Sequence, residues 1–388
     1  MSIKKVVYIS PAANISGATL ALLEIATEMQ KRGIQPVVIT ASRGLFEKKL
    51  QENNIRFYRA LYFSWLVYPG ELDTLRGKIK WFVKSLLARC SEARISGILK
   101  KERPDIVHIN TGLSPVGIQS AKALGIPLVW HIREIPEPYF DRSPFDAECE
   151  RRCLAAADRL LAISESIAAV YKNKSADNIT ILYDGVDTSR YAGLVRKPVL
   201  CDTPAAELAM CGGNESKGHK DAVTALSILH RRGYTRLNLK LWGNMLPDYK
   251  KQLEALIKNL ELEQSVQFCG FTDDMPKAWA EADITLMCSR AEAFGRATVE
   301  AMVAGTLVIG ADSGATPEII GKDRGLLYAA GRPEKLADAI EWALQNPECA
   351  QTMADAGREY ISSGAFSMEK HIKALLEIYS QLADDTEH

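Results

Sequence analysis

The sequence lacks several features that would mark particular classes of protein. Its 388 residues include no run of about 18 apolar residues, so no segment is predicted to span a membrane. The start "MSIKKVVYIS" passes directly into a strand-like run without the apolar region of a signal peptide. None of the eight cysteines forms a C-x-x-C pair with metal-ligand spacing, which favours buried free thiols in a reducing compartment. We therefore expect a cytoplasmic protein.

An excess of charge of one sign is also missing. The chain has 48 basic and 48 acidic residues, so no overall field attracts nucleic acid, and no nucleic-acid partner is expected. Apolar residues make up 47% of the chain and charged residues 25%, which is enough to build large cores. The length and composition therefore predict a globular protein of two domains.

Short β-branched runs alternate with segments of helical length in both halves of the chain, a pattern typical of β-α-β units and parallel sheets. Residues 187–204 lack periodicity and contain glycine and proline, so we place the boundary there. The predicted first domain covers residues 1–190 and the second covers residues 191–366. An amphipathic segment at residues 367–388 is predicted to join the first domain.

The loop after the strand "ELAMC" is rich in glycine and carries a lysine. Its sequence, "GGNESKGHK", brings backbone amides, Lys217 and a following helix to one place, which would suit a phosphate. The spacing of a P-loop is absent, and so is the G-x-G-x-x-G dinucleotide pattern, which makes a nicotinamide cofactor unexpected. The alternative is a surface turn with a solvated lysine.

The stretch "EAFGRATVEAMVAG" places two glutamates around the predicted start of a short helix that ends at Gly305. Glu292 and Glu300 are eight residues apart, so both side chains are able to face the same side. Carboxylates beside an anion site are better suited to hydroxyl groups than to phosphate, and a nucleotide sugar has hydroxyls on either side of its pyrophosphate. The alternative is an ordinary solvated helix face.

These residues resemble the retaining nucleotide-sugar glycosyltransferases of family four, whose hallmark is a Glu-x7-Glu motif. The resemblance extends over nearly the whole chain through "ISGATLALLEIATEMQKRG", "RLLAISESIAA", "LYDGVD", "KGHKDAVTAL" and "VQFCGFTDDM". It implies an α/β protein of GT-B type, with two Rossmann-like doubly wound parallel-sheet domains facing a central cleft. It also implies sugar transfer from a nucleoside diphosphate donor to a glycan or lipid-linked acceptor, without cofactor or metal. The lack of an Asp-x-Asp motif agrees with a metal-independent reaction.

The resemblance implies a role for individual residues. Glu300 would bind the ribose, Glu292 the sugar, and Lys217 the phosphates, while His131 would lie near the transferred sugar. His131, Glu292 and Lys217 are thus the expected catalytic residues. The expected donor-binding residues are Gly17, Gly212, Lys217, Glu292, Phe294, Gly295, Arg296 and Glu300. The expected acceptor-side residues are Asn110, Arg133 and Glu134. His108, inside a strand, is expected to be structural.

The sequence also departs from the family pattern. Cys211 and Gly212 occupy the positions of the usual phosphate-binding arginine, which leaves Lys217 with Arg296 or Arg290 to neutralise the phosphates. Asp184 replaces the asparagine of "NGVD", and Asn110 stands where many relatives carry a histidine. Two alternatives therefore stay open: a nucleotide-sugar epimerase of the same fold, and a degenerate relative that binds a nucleotide sugar without catalysis.

A strongly basic segment remains outside these assignments. Residues 76–103 contain nine basic and two acidic residues, with apolar residues at helical spacing. Such a segment suits anionic lipid head groups, so we expect Arg76 to Arg103 to form a helix or helix pair that attaches reversibly to the inner face of the membrane. The alternative is a core-facing helix whose cationic side is solvated.

Overall fold

The computed structural model describes residues 3–10, 12–61, 64–68, 70–134, 143–144, 147–172, 178–195, 198–201 and 205–385. The chain divides into two compact units. Unit 1 consists of Met1–Gly185 with Met368–His388, and unit 2 of Val186–Ser367. Parts of the predicted boundary segment, residues 196–197 and 202–204, lie outside the described residues, as do residues 386–388 of the predicted last helix.

Unit 1 is built on a seven-stranded parallel sheet with the order β3-β2-β1-β5-β6-β8-β9. Its strands are β1 (Lys5–Ser10), β2 (Gln35–Thr40), β3 (Arg56–Arg59), β5 (Ile106–Ile109), β6 (Leu128–Ile132), β8 (Arg159–Ala162) and β9 (Ile179–Ile181). Two further strands, β4 (Leu66–Val67) and β7 (Ser143–Pro144), form a separate antiparallel pair. Strands of two residues carry no periodicity, and the sequence did not predict them.

The helices of unit 1 are α1 (Gly17–Lys31), α2 (Leu45–Glu52), α3 (Leu75–Glu102), α4 (Ile118–Ala123), α5 (Ala147–Ala156), α6 (Glu165–Lys172) and α14 (Met368–Asp385). The first helix, α1, begins after Ser16, because Ser16 and Thr19 form a reciprocal capping box. The last helix, α14, belongs to unit 1 because Ile372, Leu375 and Tyr379 are buried in the same core as the first strand.

Unit 2 is built on a six-stranded parallel sheet with the order β12-β11-β10-β13-β14-β15. Its strands are β10 (Ala206–Cys211), β11 (Leu237–Trp242), β12 (Val266–Gly270), β13 (Ile284–Met287), β14 (Leu307–Ala311) and β15 (Leu326–Tyr328). Its helices are α7 (His219–Arg231), α8 (Pro247–Asn259), α9 (Met275–Ala280), α10 (Arg296–Ala304), α11 (Thr316–Ile320), α12 (Pro333–Gln345) and α13 (Pro347–Ser362).

The predicted fold class is confirmed, because each unit has a Rossmann-like parallel sheet with helices. The central strands consist almost entirely of buried residues, as expected for parallel sheets covered on both faces. In each unit the sequence order reverses inside the sheet, between β1 and β5 in unit 1 and between β10 and β13 in unit 2. Loops that follow such neighbouring strands diverge and leave room for a ligand.

The cysteines and the helices each bear on an expectation from the sequence. None of the eight cysteines forms a disulfide, but only Cys153 and Cys288 are buried, so the expectation of buried thiols was wrong for the others. Cys90, Cys201 and Cys349 are exposed because they lie on helix surfaces or in a turn rather than in strands. None of the described helices combines the length and the hydropathy that a membrane-spanning segment needs.

The basic segment forms one helix rather than a pair, since α3 runs unbroken for 28 residues. Its two halves differ in burial. In the second half, Ile95 and Leu99 are buried in unit 1. The first half exposes large apolar side chains, namely Leu75, Ile79, Phe82, Val83 and Leu86. The expectation of a core-facing helix therefore holds only for the second half of α3.

Candidate active site

The glycine-rich loop of unit 2 follows β10 and leads into α7. Gly212 and Gly218 have positive φ angles of 132° and 77°, a conformation that favours glycine. A Cβ atom on Gly213 would lie 2.1 Å from the carbonyl oxygen of Asn244, and one on Gly218 would lie 2.2 Å from that of Cys288. Glycine is required at these positions because the loop packs directly against neighbouring backbone. The loop thereby presents Lys217 at the end of β10.

Lys217 contacts the glutamate predicted to bind the sugar. Its Nζ atom lies 2.8 Å from Oε2 of Glu292, with both side chains partly exposed. Burial lowers the pKa of Lys217, but the charge of Glu292 and its hydrogen bond outweigh this, so the net pKa of Lys217 is raised. Lys217 is therefore a permanent cation at neutral pH. The loops after β10 and β13 meet through this pair.

The backbone of Glu292 is held by the loop after β14. The amide of Ala315 donates a hydrogen bond to the carbonyl oxygen of Glu292 at 2.8 Å. A Cβ atom on Gly314 would lie 2.3 Å from that same oxygen, so the two loops are in close contact. These contacts hold the backbone of Glu292 and leave its carboxylate available for the pair with Lys217.

The start of α10 is a suitable anion site. Gly295 is its N-cap residue with φ 101°, and no side chain caps the helix. The ring of Phe294 is buried and packs edge-on against Phe366 at 5.5 Å between centroids. Because the ring is fixed in the core, the following turn is held with its amides at the helix N-terminus. Arg296, the first residue of α10, is half-buried.

Glu300 and Cys211 belong to the same cluster. Burial raises the pKa of the Cys211 thiol to about 12, the charge of Lys217 lowers it, and those of Glu300 and Glu292 raise it. These interactions place all three charged residues around the position where the family usually carries an arginine. Cys211 stays an uncharged thiol there, so it adds no cation. Glu300 itself is half-buried on α10.

One polar residue of this site was not predicted. His219, the first residue of α7, is buried, and Tyr249 lies 3.4 Å from its Nδ1 atom. Burial lowers the pKa of His219 to about 4, with the backbone of Gly212 and Asn214 opposing that shift. A neutral His219 therefore lies next to the backbone of Gly212 and Asn214 in the glycine-rich loop. The predicted alternative cation Arg290 is exposed, with its guanidinium 3.7 Å from Asp221.

In unit 1, the predicted histidine lies in a cluster of buried rings. His131 lies in β6 and has no exposed surface. Neither of its ring nitrogens has a hydrogen-bond partner among the described residues. Its ring stacks on His371 at 6.3 Å and lies 5.3 Å from that of His108. His108 is buried with Nδ1 at 2.6 Å from the hydroxyl of Tyr379, as expected for a structural residue. Unlike His108, the buried polar ring of His131 has no hydrogen-bond partner within the described part of the chain.

Two predicted acceptor-side residues are engaged within unit 1. Arg133 is buried and pairs with both carboxylate oxygens of Asp184, while its Nε and Nη1 atoms have no partner in the part of the chain that the structure describes. Glu134 accepts hydrogen bonds from the Thr111 hydroxyl at 3.0 Å and the Gly112 amide at 2.8 Å. Burial raises the pKa of Glu134, and the Gly112 and Thr111 donors oppose this. Glu134 thus holds the loop after β5.

Asn110 connects the same sheet edge to α1. Its Nδ2 atom donates to the carbonyl oxygen of Ala18 at 3.2 Å, and its buried Oδ1 atom has no partner within the described ranges. Gly17, which begins α1, is exposed at the helix N-terminus. The structure therefore brings together Gly17 and Asn110 in unit 1. It separately brings together Lys217, Glu292, Gly295 and Glu300 in unit 2.

No metal site accompanies these clusters within the part of the chain that the structure describes. There, no group of three or more histidine, cysteine, aspartate or glutamate side chains is arranged to hold an ion.

Two family models match the chain, one in each half. The model for glycosyltransferase family 4 matches residues 15–190, and that for glycosyl transferases group 1 matches residues 213–360. D-inositol 3-phosphate glycosyltransferase of Pseudarthrobacter chlorophenolicus is 28% identical, over 89% of this chain and 86% of that protein. N-acetyl-alpha-D-glucosaminyl L-malate synthase of Bacillus anthracis is 33% identical, over 34% of each.

A solved structure shares the fold over almost the entire length. HepE of Anabaena, crystallised with UDP, is 21% identical, with a TM-score of 0.78 over 97% of this chain and 100% of that chain. Together the two family models span most of the sequence, and residues 191–212, close to the junction of the two units, separate them. The chain is therefore a glycosyltransferase of GT-B fold whose first half matches the family 4 model.

Proposed function

We propose that this protein transfers a sugar from a nucleoside diphosphate sugar to a glycan or lipid-linked acceptor, with retention of the anomeric configuration. The observation that carries the proposal is the Lys217–Glu292 pair beside the uncapped start of α10. A cation and a helix N-terminus suit a diphosphate, and the adjoining carboxylate suits the hydroxyls of a sugar. The names of the two curated relatives, a glycosyltransferase and a glucosaminyl malate synthase, support glycosyl transfer.

In this proposal, different residues bind different parts of the donor. Lys217 and the first amides of α10 hold the diphosphate and stabilise the charge that grows on it as the bond to the sugar breaks. Glu300 accepts hydrogen bonds from the ribose, and Glu292 from the sugar. The UDP bound to HepE supports a nucleoside diphosphate as the leaving group. In this division both carboxylates bind hydroxyl groups, and the charge of Lys217 offsets the repulsion between Glu292 and the phosphates.

The proposed step proceeds on one face of the sugar. The acceptor hydroxyl forms a bond to the anomeric carbon as the bond from that carbon to the diphosphate breaks, and its proton passes to the departing phosphate. Glu292 is occupied by Lys217 and is poorly placed to act as a base on the opposite face. Retention follows because bond making and bond breaking share one face.

The test combines binding and product analysis. Stability should rise with a matching nucleotide sugar, by about 2.7 kcal/mol at 100 times its dissociation constant. Proton NMR of the fresh product then reads the anomeric coupling constant, which should equal that of the donor's configuration. Inversion would refute the same-face step. Donor conversion without any acceptor would favour the epimerase, although neither curated relative is named as one. Absence of nucleotide binding would favour a degenerate relative.

We also propose that the first half of α3 attaches the protein reversibly to anionic membranes. Its exposed apolar residues Ile79, Phe82 and Leu86 alternate with lysines, which suits insertion at a charged interface. Flotation with anionic vesicles should recover the protein at low salt, and less of it at high salt, because screening acts over about 8–10 Å at physiological ionic strength. Phe82→Ser should reduce the recovery of protein with the vesicles. Lys100→Glu, at an exposed position near the end of the second half of α3, should reduce it less. Flotation that ignores salt and lipid charge contradicts the proposal.

A further inference from the structure

A cavity of about 400 Å³ lies beside α3 in unit 1, away from every residue assigned to the donor. Its volume falls in the range of about 300–1,000 Å³ that is usual for small-molecule sites. One face of α3 forms a wall, through Trp81, Ser85 and Ala88 at helical spacing. The opposite walls come from the segment before β4, the segment before α4 and the helix α5. They contribute Trp65, Pro115, Val116, Cys149 and Cys153.

Most of this lining is apolar, and its acidic group is already satisfied. Glu92 is the one carboxylate among the described lining residues. It accepts hydrogen bonds from the amides of Gly117 at 2.6 Å and Ser120 at 3.2 Å, and from the Ser120 hydroxyl. It therefore has no need of a further cation. An uncharged hydrocarbon would meet little unsatisfied polarity in the cavity.

Two cations line the same cavity and lack carboxylate partners. The Nζ atom of Lys84 lies 4.4 Å from the centre of the Trp81 ring. Arg89 is exposed and lies five residues further along α3. Neither forms a salt bridge with any residue in the described ranges of the chain. Cations held at the edge of an apolar cavity suit an anionic group attached to a hydrocarbon chain.

The neighbouring surface indicates where such a ligand would come from. Phe82 and Leu86 lie between the lining residues in sequence, and both are exposed. Together with Ile79 they make an apolar face continuous with the helix turn that carries Lys84. A lipid bilayer is the setting in which an exposed apolar face and an amphiphile with an anionic head occur together.

We propose that this cavity binds the hydrocarbon chain of an anionic lipid, with its phosphate group held by Lys84 and Arg89. The site is distinct from the donor cluster in unit 2 and does not depend on the proposed transfer reaction. It gives the protein a means of holding one lipid molecule in addition to contacting a membrane surface. The lipid is recognised by chain and head group together.

Calorimetry with dodecyl phosphate, below its aggregation concentration, tests this on the full-length protein. Saturable binding to one site is expected, with affinity rising about fourfold for each additional buried methylene group. Dodecyltrimethylammonium should bind at least tenfold more weakly, because it brings a cation to Lys84 and Arg89. Butyl phosphate and inorganic phosphate should not bind measurably. Equal binding of either phosphate would show a simple anion site and overturn the proposal.

Matched variants locate the site. Ala88→Trp should fill the cavity and reduce affinity for dodecyl phosphate at least tenfold, and Arg89→Glu should reduce it about tenfold. The controls Ala93→Trp and Lys100→Glu make equivalent changes in size and charge at exposed positions of α3 that do not line the cavity. Their affinities should stay within about twofold of the parent protein. Binding that Ala88→Trp and Arg89→Glu leave unchanged would refute the location.

The cavity's own cysteines provide a measurement without any substitution. Cys149 and Cys153 line the cavity, whereas Cys349 is exposed on α13 in unit 2. Site-resolved mass spectrometry should show that dodecyl phosphate slows alkylation of Cys149 severalfold and leaves the rate at Cys349 unchanged. Equal rates at Cys149 with and without dodecyl phosphate would contradict occupation of the cavity.

Discussion

The ammonium group of Lys217 lies 2.8 Å from a carboxylate oxygen of Glu292, although 75 residues separate them in the chain. The sequence assigned these residues to different parts of a donor, one to phosphate and the other to sugar. In the structure each is the other's counter-ion. A donor that binds here exchanges one carboxylate partner of Lys217 for its phosphates, so removing either residue changes the electrostatics seen by the other.

Lys217→Ala is therefore expected to act in two ways. It removes the cation that stabilises the leaving diphosphate, which should lower kcat by about 10²–10³. It also leaves the charge of Glu292 facing the phosphates, which should weaken UDP binding. The double variant Lys217→Ala with Glu292→Gln should recover part of the UDP affinity, because the repelling charge is gone.

Calorimetric titration of UDP and steady-state kinetics measure these effects. Lys258→Ala, at an exposed position of α8, is the matched control and should resemble the parent protein. Equal UDP affinity in the single and double variants would show that Glu292 does not face the phosphates. A near-normal kcat for Lys217→Ala would show that other cations stabilise the departing diphosphate.

Glu300→Ala should weaken donor binding much more than it slows the bound reaction. A carboxylate that accepts ribose hydroxyls makes bonds of about 1.5–3 kcal/mol, and these are similar in the ground and transition states. Donor KM should rise roughly tenfold to 150-fold, with kcat little changed. The variant should also bind UDP and its 2′-deoxy analogue equally. Glu263→Ala, at an exposed position in the same unit, controls for the loss of one negative charge. If Glu300→Ala still prefers UDP to the 2′-deoxy analogue as the parent protein does, Glu300 does not bind the ribose.

The strands were accessible from the sequence because they depend on local pattern, and the residues of the unit 2 cluster were expected because of the family resemblance. Buried parallel strands are continuous apolar runs, and the order of the loops follows from β-α-β connectivity. The turn at Gly295 and the end of α10 at Gly305 are likewise local, since both glycines have positive φ angles. The position of His219 next to the glycine-rich loop was missed because nothing near that residue distinguishes a buried histidine from a solvated one.

Pairings between distant residues were not accessible in the same way. Arg133 was expected on the acceptor side, yet it pairs with Asp184, fifty-one residues away in the chain. Two departures from the family pattern thereby gain a physical account. Asp184 replaces an asparagine but supplies a charge for a buried arginine, and Cys211 replaces an arginine but sits uncharged among three charged groups. The side chains alone determine such pairs, and a single sequence carries no periodic signal of them.

Breaking the pair of Arg133 and Asp184 should destabilise the protein strongly. Both side chains are almost completely buried, so Asp184→Ala would leave an unpaired buried cation, at a cost of about 3–5 kcal/mol. Asp184→Asn, which restores the residue usual in the family, keeps an oxygen acceptor and should cost less. Urea unfolding followed by fluorescence gives both values.

The surface pair of Arg232 and Asp338 provides the comparison for that measurement. Its side chains are 34% and 44% exposed, so Asp338→Ala should cost less than about 1 kcal/mol. A similar cost for the two aspartate-to-alanine changes would mean that Arg133 finds another partner or reaches water in solution.

The buried histidines of unit 1 should make stability depend on pH. Burial lowers the pKa of His131 well below its usual value and that of His108 to about 3, with the charge of Arg133 adding to both effects. His371 and Tyr379 also face this cluster. In the unfolded chain the histidines take up protons near pH 6.5, so below that pH the unfolded state binds more protons than the folded state. Stability is therefore complete above about pH 6.5 and falls as the pH drops toward 3.

The slope provides the test, because each such histidine contributes up to about 1.4 kcal/mol per pH unit within that window. His131→Asn removes one titrating group, so the free energy of unfolding should fall less steeply between pH 6.5 and 5 than in the parent protein. Above pH 7.5 both proteins should show the same slope, since the parent histidine is neutral in both states. Urea unfolding at several pH values measures the two slopes. Identical slopes in the acid range would mean that His131 accepts a proton in the folded protein, and the ring cluster would then have to open or admit water at acid pH.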